Sequence, residues 1–452
     1  MTTSPRELAP IIGALRAPAG DDPRFQTHES IREHQHDFII AYHAGLKRIH
    51  REAIDELLRL EDAVEATKGK PLPPDFLDYL NWMRQLWRKV NDAIVWHIVG
   101  HRGHIIRRWC GHRPRPNLHA SNPRSIRPLL DQFNEEPLKV AVWTDATACL
   151  DVGDILLIDK ATGEMIVVEV KEGTVNEAIL DLLSTAGENV GDRIKDFLHT
   201  YGSKAAAQLE RNLRQQQTSA RAQELITKGE GIDPFLEMPV TISDVATPDE
   251  TYDDALAGAL RDARGNGEAT LTIDDTLTIH VGTSQPPSVL LATLRRKLNK
   301  PLDLTGRQYT RNTVETLERG AWVPDAIPLY LRGIPVEDVR AILIGNLFRR
   351  VLLHIDWDGF GELVRAAGAQ FTWSTEKEGR SQHSKPHRQR RLTIDNRIPI
   401  VTVGDHYLKL GDRHLARMLF DGIRPRTIAA QLVHVLRQMQ HRDSLNIETD
   451  AT

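Results

Sequence analysis

Between Asp154 and Lys171 the chain reads Asp-Ile-Leu-Leu-Ile-Asp-Lys-Ala-Thr-Gly-Glu-Met-Ile-Val-Val-Glu-Val-Lys. Two apolar runs flank Lys160-Ala161-Thr162-Gly163, a four-residue connection of the kind that closes hairpins. If Asp159 pairs with Glu164, every opposed couple sums to one residue number, and Asp154 falls opposite Glu169. Opposed residues sit about 5 Å apart at Cβ. Lys171 stands two residues beyond Glu169 and so shares its face. One turn thus gathers two carboxylates and an ammonium at a strand edge. Adjacent carboxylates repel, and apolar neighbours raise the cost. A hard divalent cation removes it, and carboxylate oxygens are the ligands Mg²⁺ prefers. Such an ion polarises a phosphoryl oxygen and lowers the pKa of a bound water. A lysine beside it orients or deprotonates that water, or neutralises charge on the phosphate. The chemistry is metal-assisted hydrolysis of a phosphodiester. On an ordinary hairpin, by contrast, Glu169 and Lys171 are a surface pair worth well under ~1 kcal/mol.

The elements that must hold these groups follow from period and punctuation. A helix is expected over 125–136, strands over 138–144, 152–159 and 165–171, helices over 175–188 and 194–228, and a strand over 238–243. That is an α-β-β-β-α-β order. In this setting the segment resembles the PD-(D/E)xK nuclease superfamily, the restriction-endonuclease-like fold. The resemblance rests on Gly153-Asp154 and then Glu169-Val170-Lys171 on consecutive strands, and spans roughly a quarter of the chain, 116–244. It implies a nuclease hydrolysing DNA, with Mg²⁺ as cofactor and Mn²⁺ as substitute. Asp154 and Glu169 would be metal ligands, the Val170 carbonyl a further ligand, and Lys171 the catalytic lysine. Gly153 stands where the family often has proline. Asp151 is an alternative to Asp154. Asp131, Glu135 and Glu136 are candidates for the glutamate that many members carry on the helix before the first strand.

Farther along, Lys204, Gln208, Arg211 and Gln215 share one helical face. In branches of the family a Gln or Lys here faces the site, so the resemblance makes Gln208 a helper; otherwise this is a solvated face. From Ala93 to Leu130 no carboxylate occurs, while Arg102, Arg107, Arg108, Arg113, Arg115, Arg124 and Arg127 do. Arginine suits bidentate phosphate contact, and Trp109 could stack on a base. A second basic group is Arg380, Lys385, Arg388, Arg390 and Arg391, on a polar loop expected over 376–391. Salt bridges or plain solvation are the alternatives for both. His97, His101 and His104 would share a helical face, yet Gly100 and Gly103 weaken that helix and no Cys-x-x-Cys appears. Packing of neutral imidazoles is therefore preferred to zinc.

The remaining chain reads as an α/β protein of four parts. These are an N-terminal helical region over 1–115, the nuclease-like core over 116–246, a second α/β region over 247–375, and the basic loop with C-terminal strands and helices over 376–452. Residues 1–26 look like a loose arm. Long helices over 29–68 and 75–106 read as a hairpin, with Pro71, Pro73 and Pro74 between them. Beyond the core, a hairpin is expected around 274–276, a strand over 327–331 and helices over 336–347 and 425–440.

The 452 residues are 40% apolar and 27% charged, which excludes a wholly disordered chain, a collagen-like rod and a disulfide scaffold. Two cysteines, Cys110 and Cys149, fit a reducing cytoplasm. No apolar run approaches the ~18 residues of a membrane helix, and the N-terminal stretch lacks a signal-peptide core. A net charge of −4 means that polyanion binding must come from local patches. No phosphate-binding loop, dinucleotide fingerprint or nucleophile elbow is present. DNA is the expected partner, with RNA also open, and a homodimer would suit cutting of both strands. Restriction, anti-phage defence or repair would be the settings, by analogy. The rival reading is a nuclease-like fold without catalysis that binds nucleic acid or protein.

Overall fold

A computed structural model of the chain describes residues 8–70, 73–110, 115–170, 174–184, 190–234, 237, 239–242, 248–283, 286–304, 308–343, 349–385 and 391–450. It is a mixed α/β protein with two compact units, residues 17–242 and residues 1–16 together with 243–452.

The chain opens with α1 (Leu8–Arg16), part of the second unit. Helix α2 (His28–Glu33) is capped by Thr27, whose hydroxyl accepts the Ser30 N–H. Helices α3 (Gln35–Thr67) and α4 (Pro74–Ile98) then form the expected hairpin. Their apolar stripes, Leu46, Ile49, Ala53 and Leu57 on α3 and Leu86, Val90 and Ile94 on α4, are buried. The helix expected to run through 106 stops at Ile98. Gly100 and His101 take left-handed φ values of +64° and +58°, and a separate α5 (Gly103–Trp109) follows.

Next come α6 (Pro123–Glu135) and three strands, β1 (Lys139–Trp143), β2 (Ile155–Asp159) and β3 (Met165–Val168). They make an antiparallel meander in the order β1-β2-β3. Asn134 of α6 brackets one residue of β1: its Oδ1 accepts the Ala141 N–H at 2.9 Å and its Nδ2 donates to the Ala141 carbonyl at 3.2 Å. Helices α7 (Thr174–Ser184) and α8 (Val190–Lys228) share a cluster of Ile179, Leu182, Phe197, Ala205 and Leu209. The expected strand over 238–243 is β5 (Pro239–Thr241), and it pairs with β4 (Glu230–Ile232) as a separate ribbon.

In the second unit, α9 (Asp253–Asn266) precedes β6 (Glu268–Ile273) and β7 (Leu277–Thr283). Asp274 and Asp275, at φ +51° and +52°, close this hairpin as a primed turn demands. Helix α10 (Pro287–Leu298), β8 (Asp303–Leu304), β9 (Thr313–Thr316), α11 (Val336–Leu343) and β10 (Arg349–Ile355) complete a sheet ordered β6-β7-β10-β9-β8. The expected strand over 327–331 is instead a 3₁₀ turn at Leu329–Leu331, after Pro328. Helix α12 (Trp357–Ala366) leads to a second meander, β11 (Gln370–Trp373), β12 (Pro399–Val403) and β13 (His406–Lys409). Between β11 and β12 the expected basic loop begins as α13 (Glu376–Ser381), capped by Thr375. Helices α14 (Asp412–Leu419) and α15 (Pro425–Asp450) close the unit.

The supposed N-terminal arm is thus partly helical. Leu8, Ile11, Ile12 and Leu15 of α1 are buried, and Arg16 donates to the Tyr330 and Arg332 carbonyls at 2.9 and 2.8 Å. No described helix is long and apolar enough to cross a membrane.

Candidate active site

The β2–β3 hairpin has the register set by its turn. Ile155 pairs with Val168, Leu156 with Val167, Leu157 with Ile166 and Ile158 with Met165. The Asp159 N–H donates to the Glu164 carbonyl at 2.9 Å, and the Asp159 carboxylate accepts the Ala161 N–H at 2.8 Å. Carried unbroken one residue past the last pair, this register would set Asp154 against Glu169, as the sequence predicts.

Regular pairing ends just there. The Asp154 N–H donates to the Val168 carbonyl at 2.9 Å, so Asp154 and Ile155 together oppose Val168 in a bulge. The Asp154 carboxylate then accepts the Val170 N–H at 2.6 Å. Both acids therefore lie where the ladder opens, with Asp154 held to the backbone that follows Glu169. Gly153 makes this possible. Its φ is +57°, and a Cβ there would sit 2.3 Å from Val167 Cγ1 and 3.0 Å from the Val168 carbonyl oxygen. Proline, fixed near −65°, could not occupy this position. Asp151, the alternative acid, lies within 3.7 Å of Arg115, and its N–H donates to the Trp109 carbonyl at 2.7 Å.

Lys171 lies outside the described residues, as do Arg113, Arg388 and Arg390. Gln208 is half-buried on α8, beside Leu209 in the α7–α8 cluster. Among the described residues no group of three or more His, Cys, Asp and Glu side chains could hold a metal ion. Two carboxylates with a backbone carbonyl are nonetheless a donor set that suits hydrated Mg²⁺, which keeps several waters and takes one or two carboxylates.

The arginine run divides. Arg108 pairs with buried Asp233, and Arg115 donates to the Ala148 carbonyl at 2.9 Å as well as facing Asp151. Arg127 meets Asp55 at 2.7 Å on the surface, and Arg107 is half-buried on α5. Arg102 is exposed and lines a cleft of about 710 Å³ between 162–167 of the hairpin and Ser219, Gln223 and Thr227 of α8. Nearby, Lys160 donates to the Ile98 carbonyl at 3.1 Å. Burial, and then the Arg102 guanidinium, hold its ammonium below the usual value. Lys385 and Arg391 are exposed in the other unit. Trp109, considered as a stacking platform, is fully buried and serves the core. With the helix broken after Ile98, His97 turns to Tyr42, whose hydroxyl lies 2.7 Å from its Nδ1.

Sequence reasoning missed the groups that hold the β1–β2 connection. They are Arg88, Lys89, Asn91 and Asp92 of α4, all buried, with His50 of α3. Their signal was present: four polar residues interrupt the apolar stripe between Leu86 and Ile94. His50 Nδ1 donates to Asn91 Oδ1 at 2.7 Å while its Nε2 accepts the Trp143 N–H at 3.0 Å. That geometry needs a neutral ring, and burial pushes the His50 pKa down to about 4.

No family model, no curated protein and no solved structure matches this chain. Its own residues must carry the functional reading.

Proposed function

We propose that the chain is a Mg²⁺-dependent nuclease that hydrolyses DNA phosphodiester bonds, with Mn²⁺ able to substitute. The supporting observation is the β2–β3 hairpin, whose ladder ends at Ile155–Val168 with Asp154 and Glu169 the next residues on its two strands, while the Val170 N–H fixes the Asp154 carboxylate. Asp154, Glu169 and the Val170 carbonyl would hold the ion. A bound Mg²⁺ supplies charge stabilisation at the phosphate and a more acidic water. Lys171 would orient the attacking water, or neutralise charge growing on the phosphoryl oxygens. Gln208 would assist from α8. Arg102, with Arg107 beside it on the chain, would take backbone phosphates. The meander with α6 before it and α7 and α8 after it supports a restriction-endonuclease-like core.

The test is cleavage of linear, circular and single-stranded DNA with Mg²⁺ and with chelator. Lys171→Ala and Glu169→Gln serve as controls. Metal-dependent cleavage lost in both variants supports the reading. Cleavage that persists unchanged in both refutes the assignment. DNA binding without cleavage by any of the three proteins would favour a non-catalytic binding module.

A further inference from the structure

We infer that Asp92 of α4, buried beside Lys89, is a positioning residue for Asp154, acting through the loop between β1 and β2. Its purpose rests on the nuclease reading; its physical action does not.

The pair is costly. Lys89 Nζ lies 3.0 Å from Asp92 Oδ2, with side-chain exposures of 3% and 0%. Removing two charges from water costs several kcal/mol per ion, and well-packed apolar residues often hold a helix as well. What the pair fixes is therefore more telling than what it stabilises. Asp92 Oδ1 accepts the Ala148 N–H at 2.7 Å and the Cys149 N–H at 2.9 Å. Its neighbours on α4 grip the same loop. Asn91 Nδ2 donates to the Ala146 carbonyl at 2.9 Å, and Arg88 donates to the Asp145 carbonyl.

Inside the loop, the Thr147 hydroxyl donates to the Thr144 carbonyl at 2.6 Å and accepts the Leu150 N–H at 3.1 Å. The Thr144 hydroxyl donates to the Gly153 carbonyl at 2.6 Å, and the Thr144 N–H donates to the Asp154 carbonyl at 3.0 Å. Asp92 thus holds Ala148 and Cys149, which follow Thr147 directly in the chain, and a run of hydrogen bonds leads from Thr147 through Thr144 to Gly153 and Asp154. Connections between strands are usually solvated. Here Thr144 and 146–150 are all buried, and α4 supplies the partners their backbone would otherwise take from water.

The experiment uses the full chain and two double variants. Lys89→Met/Asp92→Asn removes both charges and keeps an acceptor for the two amides. Lys89→Met/Asp92→Ala removes the acceptor as well. Hydrogen exchange is read on peptides spanning 144–154 and 165–170, with peptides of α3 as the global reference. Mn²⁺ affinity is read by electron paramagnetic resonance. In the Ala variant, exchange at Val170 should rise together with that at Ala148 and Cys149. Mn²⁺ affinity should fall about 10–100-fold, the usual effect of losing a group that orients a metal ligand. The Asn variant should stay close to wild type. Thr147→Val, which cuts the run inside the loop, should give the same local signature should the Ala variant not fold.

Protection at Val170 that survives both the Ala variant and Thr147→Val would overturn the inference. So would equal loss in both double variants with α3 exchanging faster, which is the behaviour of a merely structural pair. A wild type that binds no Mn²⁺, with Val170 still coupled to Asp92, would refute the nuclease reading and leave the positioning of Asp154 standing.

Discussion

In the proposed nuclease, Glu169 is the residue on which the chemistry would turn. Its exchange for Gln keeps the shape and removes a charged oxygen. Mg²⁺-dependent cleavage should drop about 10²–10⁴-fold, the range for losing a positioned catalytic group, measured as initial rates on plasmid DNA. Gly153 is a sharper structural test. Alanine there meets Val167 at 2.3 Å and must adopt φ +57°. Gly153→Ala should cost roughly 1–3 kcal/mol in a denaturant titration, and cleavage should fall with it because Asp154 is the next residue.

His50 makes stability depend on pH. Its folded pKa of about 4 lies below the unfolded value of 6.5, so the native state binds fewer protons between the two. The contribution is complete above about pH 6.5, and it is lost as pH falls from there to 4, by about 3 kcal/mol. Burial lowers the His280 and His354 pKa values too, adding to the loss in the second unit. His50→Gln should flatten the pH profile of unfolding for the first unit. The hairpin register from Ile158–Met165 to Ile155–Val168 was readable from the sequence because a turn of fixed length determines it, whereas the bulge at Asp154 was not. His50 and Asp92 were not, because polar residues on a helix read as solvated until tertiary packing covers them.

Among the elements, the strands of the hairpin could be placed from their aliphatic runs, whereas the end of α4 could not. There two glycines and a left-handed His101 override a hydrophobic period that continues through Ile105 and Ile106. α1 was hidden for the opposite reason. Pro10 and Gly13 read as punctuation, while α1, with its four buried aliphatic residues, meets partners more than 300 positions away, α11 and the 3₁₀ turn at Leu329–Leu331. In the second unit α9 is tied in by its first residue. Arg332 donates to Asp253 Oδ1 through Nε at 2.9 Å and Nη2 at 2.5 Å, and through Nη1 to the Phe420 carbonyl at 2.9 Å. Asp253→Ala leaves this guanidinium buried and unpaired. It should destabilise the second unit by about 3–5 kcal/mol, read by denaturant unfolding.

At the scale of the molecule, the division into residues 17–242 and 1–16 with 243–452 assigns the chain's first helix to its last half. Deleting 1–16 should therefore lower the melting temperature of the second unit and leave the first unchanged. Four aliphatic side chains lose their burial, each worth roughly 1.5–3 kcal/mol. Two resolved calorimetric transitions, only one of which moves, would be the expected record. Asp154, Glu169 and Val170 all lie within 17–242, so the proposed metal site belongs to that unit.

The most direct test of this assignment is cleavage of circular DNA by the full chain in Mg²⁺, beside Asp154→Asn and Glu169→Gln. Nicking or linearisation by wild type, abolished by chelator and by either substitution, is the expected result. Equal cleavage by all three proteins would contradict it, as would a purified wild type that leaves every DNA form intact across Mg²⁺ and Mn²⁺ concentrations.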